Sequence, residues 1–152
     1  MNKPAADGKL EPYDRSPMDE ARSLAHRSKA PPAECAGAIA VTRDGSRFPG
    51  VAIALSSAAG LSVCAERVAM SSARSATSSP IEEIALWIPK SAGDHPCGIC
   101  LQIWLELAPK ARFLLQRGEG EIQELDLKQL LPDAFTSYDP SSQAETSARA
   151  QE

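Results

Sequence analysis

Two short segments of the chain carry side chains that could do chemistry together: Cys64-Ala65-Glu66-Arg67 and Pro96-Cys97-Gly98-Ile99-Cys100. Three thiols and a carboxylate in this arrangement point to a metal site. Thiolate rather than thiol is the ligand form of cysteine, and zinc takes such sulfurs tetrahedrally. Three protein ligands leave the fourth position to water, the pattern of a catalytic zinc, whereas a structural site usually closes with a fourth protein ligand. A zinc so held lowers the pKa of its water toward neutrality. A carboxylate two residues from a ligand, Glu66, can take that proton and hand it to a leaving amine. Three thiolates would leave the site net negative and weaken the metal as a Lewis acid unless a cation draws charge off the sulfurs. Arg67, three residues after Cys64, falls on the same helix face and is placed to do so.

Both segments stand where a helix is expected to begin, each after a loop, so their side chains can converge in one crevice. A helix N-terminus also lowers a thiol pKa through its free amides and partial positive charge. The surrounding elements follow from pattern. Ser16, followed by Pro17 and Asp19, reads as the cap of a first helix running to about Arg27. After Pro31-Pro32, CAGAIAVTR and SRFPGVAIAL flank Asp44-Gly45 and read as a hairpin. CAERVAMSSARSA and CGICLQIWLEL read as helices, and IEEIALWIP and ARFLLQR as buried strands. Gly118-Glu119-Gly120 turns the chain into EIQELDL and a short helix near Leu127 to Leu131. The order αββαβαβ with a strand-and-helix tail implies an α/β fold, a mixed sheet covered by helices. Residues 1–14 and 137–152 are polar with little to bury and are expected to be a disordered arm and tail around one domain at 15–136.

Composition narrows the partners. The net charge of -4 over 152 residues is spread along the chain, and no Lys and Arg cluster with interleaved aromatics marks a nucleic-acid track. No run of about 18 apolar residues is present, so no membrane span is expected. The opening MNKPAADGKLEPYDRSP lacks the apolar stretch of a secretory signal, and the expectation is a cytoplasmic protein acting on a small molecule. Four cysteines in such a chain argue for metal or catalysis over a disulfide framework, and two histidines give a Ser-His-Asp hydrolase little to stand on. Several other residues have plain structural readings. Cys35 suits core packing, Ser56 and Ser57 the satisfaction of local backbone, and His95 a solvated turn. Trp87 and Trp104 suit packing, and Glu82 and Glu83 a solvent-facing position.

Cys-x-Glu followed downstream by Pro-Cys-x-x-Cys resembles the signature of the zinc deaminases. The all-cysteine ligand set and the run Cys64-Ala65-Glu66-Arg67 look like the small, tetrameric branch of the cytidine deaminases. Gly60-Leu61, Gln102 and Leu130-Leu131-Pro132-Asp133-Ala134-Phe135 add to the likeness, which covers about residues 16 to 136. The resemblance implies a three-layer α/β fold with a mixed five-stranded sheet covered by helices on both faces. It also implies a zinc cofactor, hydrolytic release of ammonia and a homo-oligomer, tetramer or dimer. By the same resemblance, the Ala65 backbone would meet the amide edge of a pyrimidine, and Phe135 would reach a neighbouring subunit's site and lie against the base.

The substrate-facing residues depart from the family. Members acting on cytidine carry Asn and Glu in a segment Gly-x-Asn-x-Glu-Asn to bind the ribose hydroxyls. Here Ile53 and Leu55 stand at those positions, or Ala52 and Ala54 if the register shifts by one, and neither alignment supplies a carboxylate. The family's aromatic entry Tyr-Ser-x-Phe-x-Val-Gly is replaced by residues 30–37, APPAECAG, and Leu101 stands where Arg usually follows the last ligand. With Pro96, residues Ile53 and Leu55 are the candidates to line the substrate pocket. A site that binds a sugar hydroxyl discriminates through buried polar partners, and without them the gain from ribose should largely vanish. The expectation is therefore a zinc-dependent deaminase of a cytosine-type nucleoside or related small amino-heterocycle other than ordinary cytidine. The alternative is a catalytically silent zinc-containing module of the same fold that binds a ligand or partner. Glu66, which a purely structural zinc would not need, separates the two.

Overall fold

A computed structural model describes residues 14–32, 34–93 and 95–135. The expected arm and tail lie outside the described residues, except at position 14. The elements run α1 (Ser16–Leu24), β1 (Gly37–Thr42), β2 (Arg47–Val51), α2 (Ala65–Ala76), β3 (Ile81–Ile88), α3 (Gly98–Leu107), β4 (Arg112–Arg117), β5 (Ile122–Leu125) and α4 (Leu127–Leu130). The sheet order is β2-β1-β3-β4-β5. Among the described strands, β3 and β4 pair in parallel, joined through α3, and the other three strand pairings are antiparallel. Asp44-Gly45 does turn a hairpin, with Gly45 at φ 82, a left-handed conformation that glycine adopts without a side-chain clash. Pro49, which has no amide to give a neighbour, falls on the edge strand β2.

Helices cover both faces, as the resemblance implies. Alternation along the strands divides the core. Ala38, Ala40, Ile84, Leu86, Phe113 and Leu115 face α2 and α3, whereas Ala85 and Leu114 pack with Met18 of α1 on the other side. Two glycines let helices approach closely. A Cβ on Gly37 would lie 2.0 Å from the Ala21 carbonyl oxygen of α1, and one on Gly50 would lie 2.2 Å from the Ala65 carbonyl oxygen of α2. No helix among the described residues is long and apolar enough to cross a membrane.

The first helix differs from expectation at both ends. Its cap position is Arg15, not Ser16, which lies inside the first turn. Asp14 does the work expected of the serine hydroxyl, accepting from the Ser16 amide at 2.9 Å and from the Ser16 hydroxyl at 2.6 Å. A charged acceptor outcompetes a neutral one, and Arg47 braces Asp14 at 3.1 Å. The α-helix stops at Leu24, and the chain tightens into a 3-10 turn over Ala25–Arg27.

Candidate active site

Cys64 and Cys97 are the cap residues of α2 and α3, both extended, at φ -71, ψ 150 and φ -67, ψ 160. Neither uses its side chain to cap the helix, which leaves each sulfur free to turn outward. Cys100 follows in the first turn of α3, fully buried. The two helix starts come together so that the Cys64 and Cys97 sulfurs are 3.9 Å apart and those of Cys97 and Cys100 are 3.5 Å apart. All three sulfurs lie within 4.8 Å of one another, a group able to hold a metal ion. Four ligands placed tetrahedrally at the zinc–sulfur bond length lie about 3.8 Å apart, so these separations fit that ion.

The loop bearing Cys64 is stitched to the strand before it. Ile53 and Val63 exchange backbone hydrogen bonds at 2.9 Å each, and the Leu55 amide donates to the Ser62 hydroxyl at 3.1 Å. Arg67 reaches back to the Ser62 carbonyl at 2.6 Å, while its Nε is buried with no partner. Ser62 thus ties the ligand loop both to the wall and to the nearby guanidinium. Nothing in its spacing marked it beforehand, because its value depends on which strand lies alongside.

The charge distribution favours thiolate chemistry at one sulfur. The Cys64 thiol is pulled down to about 7, first by its hydrogen bond with Cys100, with Cys97 and Arg67 adding to the effect against burial and the Glu66 charge. Cys100 is pushed up, first by that same bond and then by burial and Glu66. A proton is therefore held within the triad and must leave when a metal takes all three sulfurs. Glu66 is only 4% exposed. Burial raises its pKa, opposed by a hydrogen bond with Cys100 and by the Arg67 charge. A carboxyl beside the ligand set whose affinity for a proton is raised suits a group that must accept one and give it back.

The remaining candidates fall as follows. Ala65, fully buried, opens α2 between Cys64 and Glu66, and Pro96 is buried beside Cys97. Ile53 and Leu55 are 36% and 40% exposed next to the ligand loop. Phe135 is exposed, with its carbonyl bonded to Gln102 of α3 at 2.7 Å. His95 is exposed, and Ser56 and Ser57 are exposed with no side-chain hydrogen bond among the described residues. The local backbone does not use those two hydroxyls as expected, because the turn at 56–57 closes through the Ala58 amide and the Leu55 carbonyl instead. Leu101 is 4% exposed and belongs to the core.

Trp87 and Trp104 both pack. Trp87 also donates to the Gly118 carbonyl, and Trp104 lies 4.8 Å from the Phe113 ring. Cys35 is half-buried, outside the core clusters, with its thiol 3.6 Å from the Ala30 carbonyl. Glu82 is exposed and pairs with Arg43, but Glu83 is half-buried, contrary to expectation, where β3 meets the irregular register of β1 at Val41 and Thr42. Glu83 lines a cavity of about 610 Å³ with Arg47, Lys110 and Arg112, at the end of the sheet where β3 and β4 begin. None of the cysteine-site residues lines that cavity.

No protein-family model matches the chain. It is 38% identical to a cytidine deaminase of Halalkalibacterium halodurans over 104 residues, 68% of this chain and 78% of the relative. It is 32% identical over 110 residues to a cytidine deaminase of Sporosarcina psychrophila, 72% of this chain and 80% of that one. The fold superposes on the crystal structure of cytidine deaminase from Burkholderia pseudomallei with a TM-score of 0.72 and 32% identity, covering 81% of this chain and 99% of the other. A mutant cytidine deaminase from Mycobacterium tuberculosis gives a TM-score of 0.66 at 25% identity, covering 81% and 94%.

Proposed function

Because the chain belongs to the cytidine deaminase family and is a hydrolytic deaminase, we propose that it removes the exocyclic amine of a cytosine-type nucleoside or related small amino-heterocycle other than ordinary cytidine, with zinc held by Cys64, Cys97 and Cys100. Zinc on these sulfurs supplies the Lewis acidity that makes water acidic enough to serve near neutral pH. Glu66 carries the protons: it takes one from the water and gives it to the ring nitrogen, then takes the remaining proton of the same oxygen and gives it to the departing amine. The carbon–nitrogen bond breaks, the water's oxygen replaces the nitrogen, and ammonia leaves. Arg67, held by Ser62, offsets the charge of the thiolates, and the Ala65 backbone meets the amide edge of the ring.

The observation that carries the substrate reading is the wall at residues 52–55. Its four amides are all spent within the chain: Ala52 on the Ala36 carbonyl at 3.0 Å, Ile53 on Val63 at 2.9 Å, Ala54 on Lys29 at 3.0 Å, and Leu55 on the Ser62 hydroxyl at 3.1 Å. Its side chains are aliphatic. Such a wall has no donor left for a sugar hydroxyl, and a hydroxyl pressed against it without a partner costs about 1–3 kcal/mol. Rings whose substituent is small or apolar should be turned over in preference to cytidine.

The five exposed large apolar residues among those described are Ile53, Leu55, Leu61, Ile99 and Phe135. Leu61 and Ile99 lie within three residues of a site cysteine, Ile53 and Leu55 stand on the segment bonded to Val63 and Ser62 just before Cys64, and Phe135 is tied to α3. This supports a homo-oligomer, tetramer or dimer, that covers them. Gln102, which holds Phe135, lies about 200° round α3 from Cys100, on a face turned away from its own thiolates. That favours service of Phe135 in a neighbouring copy's site. Mixing Glu66→Gln and Phe135→Ala subunits should then give more activity at low substrate than the two variants sum to separately, and no gain on mixing would assign Phe135 to its own site.

The test of function is ammonia release by the zinc-loaded protein from cytidine, deoxycytidine, cytosine and other amino-heterocycles, with Glu66→Gln as the control. Turnover of a ring lacking ribose hydroxyls, faster than of cytidine and abolished by Glu66→Gln, is the expected result. Cytidine as the best substrate would overturn the substrate reading. Stoichiometric zinc with no turnover of any compound would bring forward a ligand- or partner-binding module.

A further inference from the structure

Gln102 lies on α3 and spends both hydrogens of its side-chain amide. Nε2 donates to the Phe135 carbonyl oxygen at 2.7 Å and to Glu106 Oε1 at 3.1 Å. Two acceptors on one nitrogen fix which end of the amide faces which way, since the flipped amide would set its oxygen against a carbonyl and a carboxylate. Glu106 stands four residues on, one turn along the same helix face, where it can hold the amide in place. The chain beyond α4 has few other ties. Leu130 and Leu131 pack against the core, but among the described residues the Gln102 bond is the one side-chain hydrogen bond that reaches residues 132–135. The Phe135 ring itself is 58% exposed, so packing within its own chain does not hold it.

We infer that Gln102, oriented by Glu106, is the positioning residue that sets where Phe135 is presented to the heterocycle. This rests on the deaminase reading above and on Phe135 lying against the ring. The bond spans 33 residues of sequence and joins α3, which Cys97 caps and whose first turn carries Cys100, to the backbone of an exposed aromatic. It therefore fixes the aromatic relative to a ligand-bearing helix. Such a residue acts on the capture of the ring rather than on the proton transfers at Glu66, so its loss belongs in KM and not in kcat.

The experiment compares the zinc-loaded protein with Gln102→Leu, Gln102→Glu, Phe135→Ala and the Gln102→Leu, Phe135→Ala double variant. Cytosine and deoxycytidine serve as probes, and the backbone mobility of residues 133–135 is followed in parallel by amide nitrogen relaxation. Gln102→Glu keeps the shape but puts an acceptor against two acceptors. Loss of one such bond should raise KM about 3- to 10-fold, with kcat within about twofold and zinc stoichiometry intact. Residues 133–135 should become more mobile, and the double variant should be no worse than Phe135→Ala. Unchanged KM in Gln102→Leu while Phe135→Ala raises it would overturn the inference, as would full additivity of the two. If Phe135→Ala leaves KM alone, the placement of Phe135 fails and the positioning role falls with it. If the wild type turns over neither probe, the deaminase reading is what has failed for these rings. Relaxation then decides the anchor by itself: greater mobility of 133–135 in Gln102→Leu supports it and unchanged mobility overturns it.

Discussion

Replacing Gly50 by alanine tests whether the sheet sets the metal site. The added Cβ would lie 2.2 Å from the Ala65 carbonyl oxygen, 2.6 Å from the Ala69 nitrogen and 3.1 Å from the Ala69 Cα. All three are backbone atoms, so no side-chain rotation relieves the overlap. Ordinary contact begins near 3.4 Å, so the first turn of α2 must back away from β2 by about 1 Å. Overpacking of this kind costs about 1–3 kcal/mol, and more where the backbone resists. For a folded region of this size, that lowers the melting temperature by about 5–12 °C.

Cys64, as the cap residue of α2, moves with the helix. Its sulfur now lies 3.9 Å from that of Cys97, close to the tetrahedral spacing, and a shift of this size takes it out of range for full coordination. Displacement of about 1 Å in a catalytic group costs about 100-fold in rate. Gly37→Ala is the control. Its Cβ would meet the Ala21 carbonyl oxygen at 2.0 Å, on the face carrying α1 rather than α2. Melting curves, zinc content after dialysis and competition with a chromophoric chelator read the two effects separately. Gly50→Ala should lose stability and zinc affinity, and Gly37→Ala stability alone. Wild-type zinc affinity in Gly50→Ala, or equal losses of zinc in both variants, would refute the coupling of β2 to the ligand set.

Cys64→Ser, Cys97→Ser and Cys100→Ser should each bind less than one equivalent of zinc after dialysis, and chelation should lower the wild-type melting temperature to near theirs. Glu66→Gln should keep full zinc while losing about 100- to 10,000-fold in kcat, checked by metal analysis alongside ammonia release. Trp104→Phe should change stability by less than about 1 kcal/mol in urea, because the lost contacts are offset by removing a buried N–H that has no partner. Burial raises the Glu83 pKa, with Arg112 opposing it, so the native state favours its neutral form. That contribution is present below the ordinary glutamate value of about 4.3 and is lost as pH rises through the raised folded value. Glu83→Gln should therefore gain stability relative to wild type as pH rises toward neutrality and match it in acid, as read from denaturation midpoints across that range.

Cys64-Ala65-Glu66 and Pro96-Cys97-Gly98-Ile99-Cys100 could be read directly because metal chemistry depends on residue type and because helix starts are local. β3 and β4 could be read because buried strands need continuous apolar runs. Other features were hidden for reasons of register. Glu83 looked solvent-facing because an isolated pair of glutamates at a strand start gives no sign of the β1 irregularity opposite it. Asp14 took over the cap expected of Ser16 because Arg47, far along the chain, braces it there.

What the sequence by itself determined was the cysteine set able to hold a metal, the glutamate beside it and the order of helices and strands. These rest on the chemistry of single side chains and on preferences acting over a few residues. Tertiary structure alone decided that the Cys64 and Cys97 sulfurs stand 3.9 Å apart although 33 residues separate them. It also spent the amides of residues 52–55 internally, packed Gly50 beneath Ala65, and tied Gln102 to Phe135. Each of these needs two remote segments brought into one register, and register follows from the packing of the whole sheet against its helices rather than from any one stretch of chain.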